Sequence, residues 1–305
     1  MAAIVLAIIV ATATGVWAEL RFGGRAGIAA RRALIFVLYV VLPPTTFFNL
    51  ARVQFDADIG LGIGLGYLAL ALAGLLAWFV ASRPLGLQRP AVGAVICCTL
   101  VANTGYLGYP LVAALLGFDQ LSEAVIYDVL VSGPALLVGA FSIGAAFGER
   151  AGETPRQRVA AFFTRNPPLY AAALGLIAPD SLAPDALVDA SRIAIVALLP
   201  LGFFAVGAAL AEEGDEDTFP IPPPLDAAVA AAVGLRLVIA PALLFLIALP
   251  LIDLPGPYLL LAAMPCGINT MIVSHAYGLD LRISAGAVAW STAIAVGVAV
   301  ASLAL

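Results

Sequence analysis

Residues 101–112 read VANTGYLGYPLV. They sit inside an apolar run of membrane-spanning length, yet Asn103, Thr104, Gly105, Gly108 and Pro110 fall within eight positions. Proline donates no backbone hydrogen bond and its ring clashes with the preceding turn; glycine loosens a helix further. Lipid cannot satisfy the groups so freed, so a break here is tolerated only inside protein or beside water. The stretch predicts an interrupted helix that lines something polar.

The surrounding chain has 305 residues, 63% of them hydrophobic and 11% charged, with a mean hydropathy of +1.08. So few charges cannot cover the surface of a water-soluble domain of this size. Apolar runs of about 20 residues recur, the length a bilayer core demands. The expected class is an all-α polytopic membrane protein, since a β-barrel would show short alternating segments. All 14 basic residues are Arg, and none cluster as a nucleic-acid partner would require. The net charge of −5 comes largely from EEGDED at 212–217. Cys97, Cys98 and Cys266 lack metal or redox spacing and read as small buried residues. No metal or cofactor is implied.

Ten spans are expected, at 2–18, 33–51, 59–81, 91–117, 121–147, 167–179, 188–211, 225–249, 257–278 and 282–304. The first apolar run lacks a preceding basic region and is followed by Arg21 and Arg25, which suits a retained helix that starts outside. With both termini outside, eleven arginines fall in inner loops, Arg52 and Arg192 fall in outer ones, and Arg236 lies within a span. Five helices per half force the second half to be inverted. Two landmarks support the halving. VVLPPTTFF and ALLPLGFF place Pro44 and Pro200 156 positions apart, each followed by a double Phe. Pro110 and the Pro265 of AAMPCGINT are 155 apart. The expected organisation is a first five-helix repeat at 1–148, a short cytoplasmic linker at 149–166 and an inverted repeat at 167–305, with broken helices four and nine crossing.

Broken helices of matched position point to a substrate site at mid-membrane. A half-helix N-terminus carries unpaired N–H groups and about half a positive charge, so the site favours an anion or carboxylate. Half-helices are expected to start near Pro110 and after Pro265. The candidate substrate-binding residues are Asn103, Thr104, Gly105, Tyr106 and Pro110 from one break, with Pro265, Gly267, Asn269 and Thr270 from the other. Tyr109 stands with Tyr106 as a residue that lines the cavity or anchors the fold. Arg236 is a central charge that either attracts an anion or pairs with Asp128. Asp128 and His275 are candidate proton carriers.

The whole chain resembles the auxin efflux carrier family, also called PIN-like transporters. The resemblance rests on ALIFVLYVVLPPTTFFNLA, NTGYLGYP, RNPPLYAAALGL, LRLVIAPALL and AAMPCGINTMIVSHAYG. It implies two inverted five-helix repeats, a crossover of helices four and nine beside the substrate, and an elevator-like motion. Helices one, two, six and seven would form a scaffold, paired as a homodimer, and helices three, four, five, eight, nine and ten the moving part. Plant members export auxin, an indole carboxylate, and bacterial members are linked to malate and malonate. Asn103 and Pro110 match the first crossover, Pro265 and Asn269 the second. The 149–166 loop is too short for the long regulatory loop of many plant carriers, which makes this a short, bacterial-type form in the cell's inner membrane.

Other classes are less well supported. A sodium-coupled bile-acid-type symporter shares the crossover design, but the crossings show no carboxylate in sequence to hold Na⁺. A P-loop ATPase would need GxxxxGK[ST], which is absent. A serine protease using Ser274 or Ser132 with His275 lacks GxSxG, and adjacent residues on a helix point about 100° apart. A non-transporting sensor on the same fold stays open, and flux measurement would separate it from a carrier.

Overall fold

The computed structural model describes residues 2–52, 57–149, 167–197, 199–214 and 223–304, and every regular element in them is helical. The expected linker lies, apart from its first residue, outside the described residues, as does 215–217 of the acidic loop. The helices are α1 (Ala2–Phe22), α2 (25–50), α3 (Ala57–Ser82), α4 (Arg89–Leu100), α5 (104–115), α6 (Phe118–Phe147), α7 (Pro167–Ile177), α8 (Asp185–Ala197), α9 (Leu199–Gly214), α10 (Ala227–Ala248), α11 (Gly256–Ala262), α12 (Asn269–Tyr277) and α13 (Leu281–Ala304). Four of them are long and apolar enough to cross a membrane: α3, α6, α10 and α13. Large apolar side chains such as Leu75, Leu246 and Val298 point outward. Water would punish that surface and lipid would not. The chain is a helical membrane protein.

Prolines shape these helices in a repeated way. Widened π turns run through Val37–Val41, Thr104–Gly108, Asp128–Ser132 and Leu235–Ile239. Each ends two residues before a proline: Pro43, Pro110, Pro134 and Pro241. Proline removes one N–H and crowds the carbonyl four residues back. The helix answers by shifting the preceding bonds from four residues to five, as in Tyr109 N–H to Thr104 O, Gly133 N–H to Asp128 O and Ala240 N–H to Leu235 O. Pro110 therefore widens its helix without breaking it.

The helices form two groups. In the first, α1 lies against α9 and α2 against α7 and α8. Glycines set the closeness. A Cβ at Gly15 would stand 2.2 Å from the Phe204 carbonyl oxygen, and one at Gly207 2.1 Å from that of Thr12. Such backbone approach is how helices associate without a hydrophobic driving force. Buried Asn49 of α2 donates through Nδ2 to Ser191 Oγ of α8 at 3.0 Å. The second group packs α4 against α3, α10 and α13, and α6 against α4, α11 and α12. Its core holds buried Cys97, Cys98 and Cys266, as their spacing implied. The groups touch where the Tyr106 ring rests on Gly202 of α9, and where Arg192 of α8 reaches Asp119 at 3.3 Å.

Candidate functional site

The helix that begins at Arg89 stops at Leu100, and the chain runs extended through Val101, with φ −97° and ψ 112°. The second interruption falls between Ala262 and Asn269. The two breaks pair with each other. Asn103 N–H donates to the Pro265 carbonyl at 2.8 Å, and Gly267 N–H to the Val101 carbonyl at 2.9 Å. Ala102 and Cys266 face each other in this antiparallel bridge. The Cys266 N–H goes to Ser291 Oγ of α13 at 3.0 Å. Backbone groups that lipid would have left bare are thus satisfied by the opposite break. Gly267 permits the approach, since a Cβ there would lie 3.0 Å from the Ala102 carbonyl oxygen.

The first break therefore lies at 101–103, before the proline expected to make it. Pro110 sits in the second position of the α-helical part of α5, behind the π turn that accommodates it. Pro265 does lie in its break. The 155-residue offset of these prolines consequently does not match the pairing of the breaks, which sets Ala102 against Cys266.

Four helix ends meet at the bridge: the C-termini of α4 and α11, and the N-termini of α5 and α12. Arg236 serves the C-termini. Fully buried on α10, it donates through one terminal nitrogen to the Thr99 carbonyl at 2.8 Å and through the other to the Ala262 carbonyl. Last-turn carbonyls lack partners within their own helix and carry partial negative charge. One guanidinium, a rigid fork of donors, fits two such ends. Its Nε is buried with no hydrogen-bond partner among the described residues. The expected pairing of Arg236 with Asp128 is not what the structure holds, and no ion pair of Arg236 occurs among the described residues. The converging C-termini take the charge instead.

Asp128 serves the N-terminus of α5. The Thr104 hydroxyl donates to Asp128 Oδ1, and the Tyr109 hydroxyl to Oδ2 at 2.6 Å. A carboxylate on α6 thus stands at the first residue after the break. The sequence argument against a sodium symporter, that the crossing lacks a carboxylate, is overturned by this contact.

The remaining candidates divide. Asn103 is 5% exposed, and its side-chain amide makes no hydrogen bond among the described residues. Asn269, half-buried at the start of α12, likewise has an uncommitted amide. Gly105 has no neighbouring atom within 4 Å of where a Cβ would stand. Thr270 is fully buried and spends its hydroxyl on the Gly267 carbonyl at 2.8 Å, closing the first turn of α12. Half-buried Tyr106 packs on Gly202. His275 is exposed, six residues beyond Asn269. That is about 9 Å along the helix at 1.5 Å per residue. Ser274 is buried, with its hydroxyl 2.6 Å from Ser284 Oγ.

Sequence reasoning missed that Asp128 and Arg236 serve helix ends. One signal was available. Thr104, Asp128 and Arg236 all lie in π turns, five or six positions before a proline. A polar residue at that offset in an apolar run marks a side chain re-aimed by a widened turn.

No protein-family model matches the chain. It is 22% identical over 264 residues to an uncharacterized transporter from Methanocaldococcus jannaschii, covering 83% of this chain and 82% of that protein. It is 30% identical over 145 residues to an uncharacterized transporter from Methanothermobacter thermautotrophicus. That match covers 46% of this chain and 45% of the relative.

Proposed function

We propose that the protein is a secondary transporter that carries a small organic anion, a carboxylate, across the cell's inner membrane by elevator-type alternating access. One observation carries the reading. The two interrupted helices pair break to break, and beside that bridge the amides of Asn103 and Asn269 are uncommitted among the described residues. Amides at fixed depth between two helix N-termini suit a carboxylate. The transporter names of the two archaeal relatives support the class. The auxin efflux carrier resemblance, with its two inverted five-helix repeats and outside termini, supports the mechanism. The grouping of α1, α2, α7, α8 and α9 apart from the crossing suits a scaffold that could pair as a homodimer. An anion that moved alone would gain about 2.3 kcal/mol per charge per 100 mV on leaving a cell negative inside.

The test is flux in proteoliposomes. Asn103→Ala and Asn269→Ala are expected to lose carboxylate flux while leaving a folded, inserted protein. Full flux in both variants would remove the site. A sodium-coupled symporter is the second reading, favoured by Asp128 at the crossing; a flux that requires Na⁺ would select it. A protein that binds carboxylates without flux would be the sensor.

A further inference from the structure

Resting on the anion-carrier reading, we propose that Asp128 is a resident anion of the α5 N-terminus that must take up one proton before a carboxylate substrate can bind. The carrier then moves each substrate anion together with one proton.

A carboxylate already occupies the positive end of α5. Asp128 accepts hydrogen bonds there from Thr104, the first residue of the helix, and from Tyr109. A second carboxylate brought to the same helix end would meet a like charge at close range in a partly desolvated place, where such pairs are not held together. Among the described residues no cation forms an ion pair with Asp128. Among the described residues, the titratable side chains facing it from α5 are Tyr106 and Tyr109. The α3 face packed on 128–132 supplies Tyr67, whose hydroxyl donates to the Leu130 carbonyl, and α7 supplies exposed Tyr170. Arg236 is committed to the helix C-termini on the other side of the bridge.

A polar side chain and an open glycine flank Thr104. Asn103, 5% exposed and with an amide that makes no hydrogen bond among the described residues, directly precedes Thr104, and Gly105 directly follows it with open space beside it. A ligand held by these residues would compete with Asp128 for the same helix end. The exchange balances simply. A solvent proton adds to one Asp128 oxygen, the carboxylate becomes a neutral acid, and the helix end is freed for the incoming anion. Release of the anion returns the proton to the solvent on that side. A monoanion then crosses with no net charge, so a pH gradient can drive it and the membrane potential cannot.

The experiment uses the purified full-length protein and a panel of acetate, malonate, malate and benzoate, over a pH range in which the probes stay ionised. Above the midpoint, the affinity of any bound probe is expected to fall about tenfold per pH unit, with about one proton taken up per anion bound in weak buffer. Asp128→Asn, a mimic of the protonated acid, is expected to bind with the low-pH affinity at every pH and to take up no proton. Tyr109→Phe removes one donor to the ionised carboxylate and is expected to move the midpoint to higher pH, a change that a merely structural role would not produce. Carboxylate binding that is independent of pH in the native protein overturns the proton requirement and leaves the carrier reading standing. So does a need for Na⁺ in place of the proton, or an Asp128→Asn protein that folds but binds at no pH. Failure of all four probes to bind at any pH overturns the anion reading itself, and this inference with it.

Discussion

The two interruptions pair as equals along the backbone, but their side chains differ. The first contains no proline, runs into a π turn and brings a carboxylate to its helix end through Thr104 and Tyr109. The second contains Pro265 and Gly267, closes its turn with the Thr270 hydroxyl and has no acid hydrogen-bonded to its first residue among the described residues. Geometry is shared because each break must satisfy the other's backbone. The side chains are under no such requirement, and they differ. Paired breaks thus carry unlike side chains, with a carboxylate hydrogen-bonded beside the first among the described residues.

The largest effect is expected from removing what the breaks have in common. Arg236→Met deletes the donor to both helix C-termini and leaves the Thr99 and Ala262 carbonyls buried. Hydrogen bonds from charged groups are worth about 1.5–3 kcal/mol each, so a loss on the order of 3 kcal/mol is expected. Thermal unfolding in detergent reads it. An unchanged midpoint would show that the two C-termini do not depend on this side chain.

A smaller effect separates the breaks. Gly267→Ala pushes a methyl group to 3.0 Å from both the Ala102 carbonyl oxygen and Val101 Cγ1. Overpacking of this kind costs about 1–3 kcal/mol. Gly105→Ala meets no neighbour within 4 Å, so stability is expected to hold while flux falls. Equal stability losses in the two variants would erase the contrast.

The smallest concerns how the second half anchors α10. Asp226 caps that helix by accepting from the Ala228 and Val229 N–H groups at 3.0 Å each, and it pairs with Arg282 at the start of α13. Burial opposes the charge, but the Val229 bond, the Arg282 contact and the Ala228 bond outweigh it and hold the carboxyl below the usual range. A depressed folded value means that its stabilisation is complete above the unfolded value of about 4 and is lost as pH falls below it. Asp226→Ala is expected to cost about 1 kcal/mol near neutral pH and to flatten that acid-side decline, as followed by unfolding against pH. A decline that stays as steep in the variant would assign it to other acids.

The interrupted helices were legible in the sequence because a polar, glycine-rich cluster inside an apolar run has few physical uses. The segment limits were legible too: the expected 59–81, 121–147 and 282–304 lie within α3, α6 and α13. The position of the first break was misread at Pro110. A proline in an apolar run can either end a helix or widen it, and the choice depends on whether packing leaves room for a five-residue turn. Asp128 and Arg236 were legible as costly charges but not in their partners. Asp128 meets Thr104 across 24 positions, and Arg236 meets Thr99 across 137. Such contacts depend on how helices stack, which no local pattern records. Thr270 donates its hydroxyl to the Gly267 carbonyl, a local use that spacing alone does not reveal.

Cys98 and Cys266, which touch across the crossing, are separated by 168 positions. A ribosome adding roughly 5–20 residues per second needs on the order of ten seconds or more to span that interval. Throughout it, the first gap exists without the chain that pairs with it. The nascent chain must be sheltered during this wait, which makes the earlier segment the point where biogenesis is most exposed to misassembly.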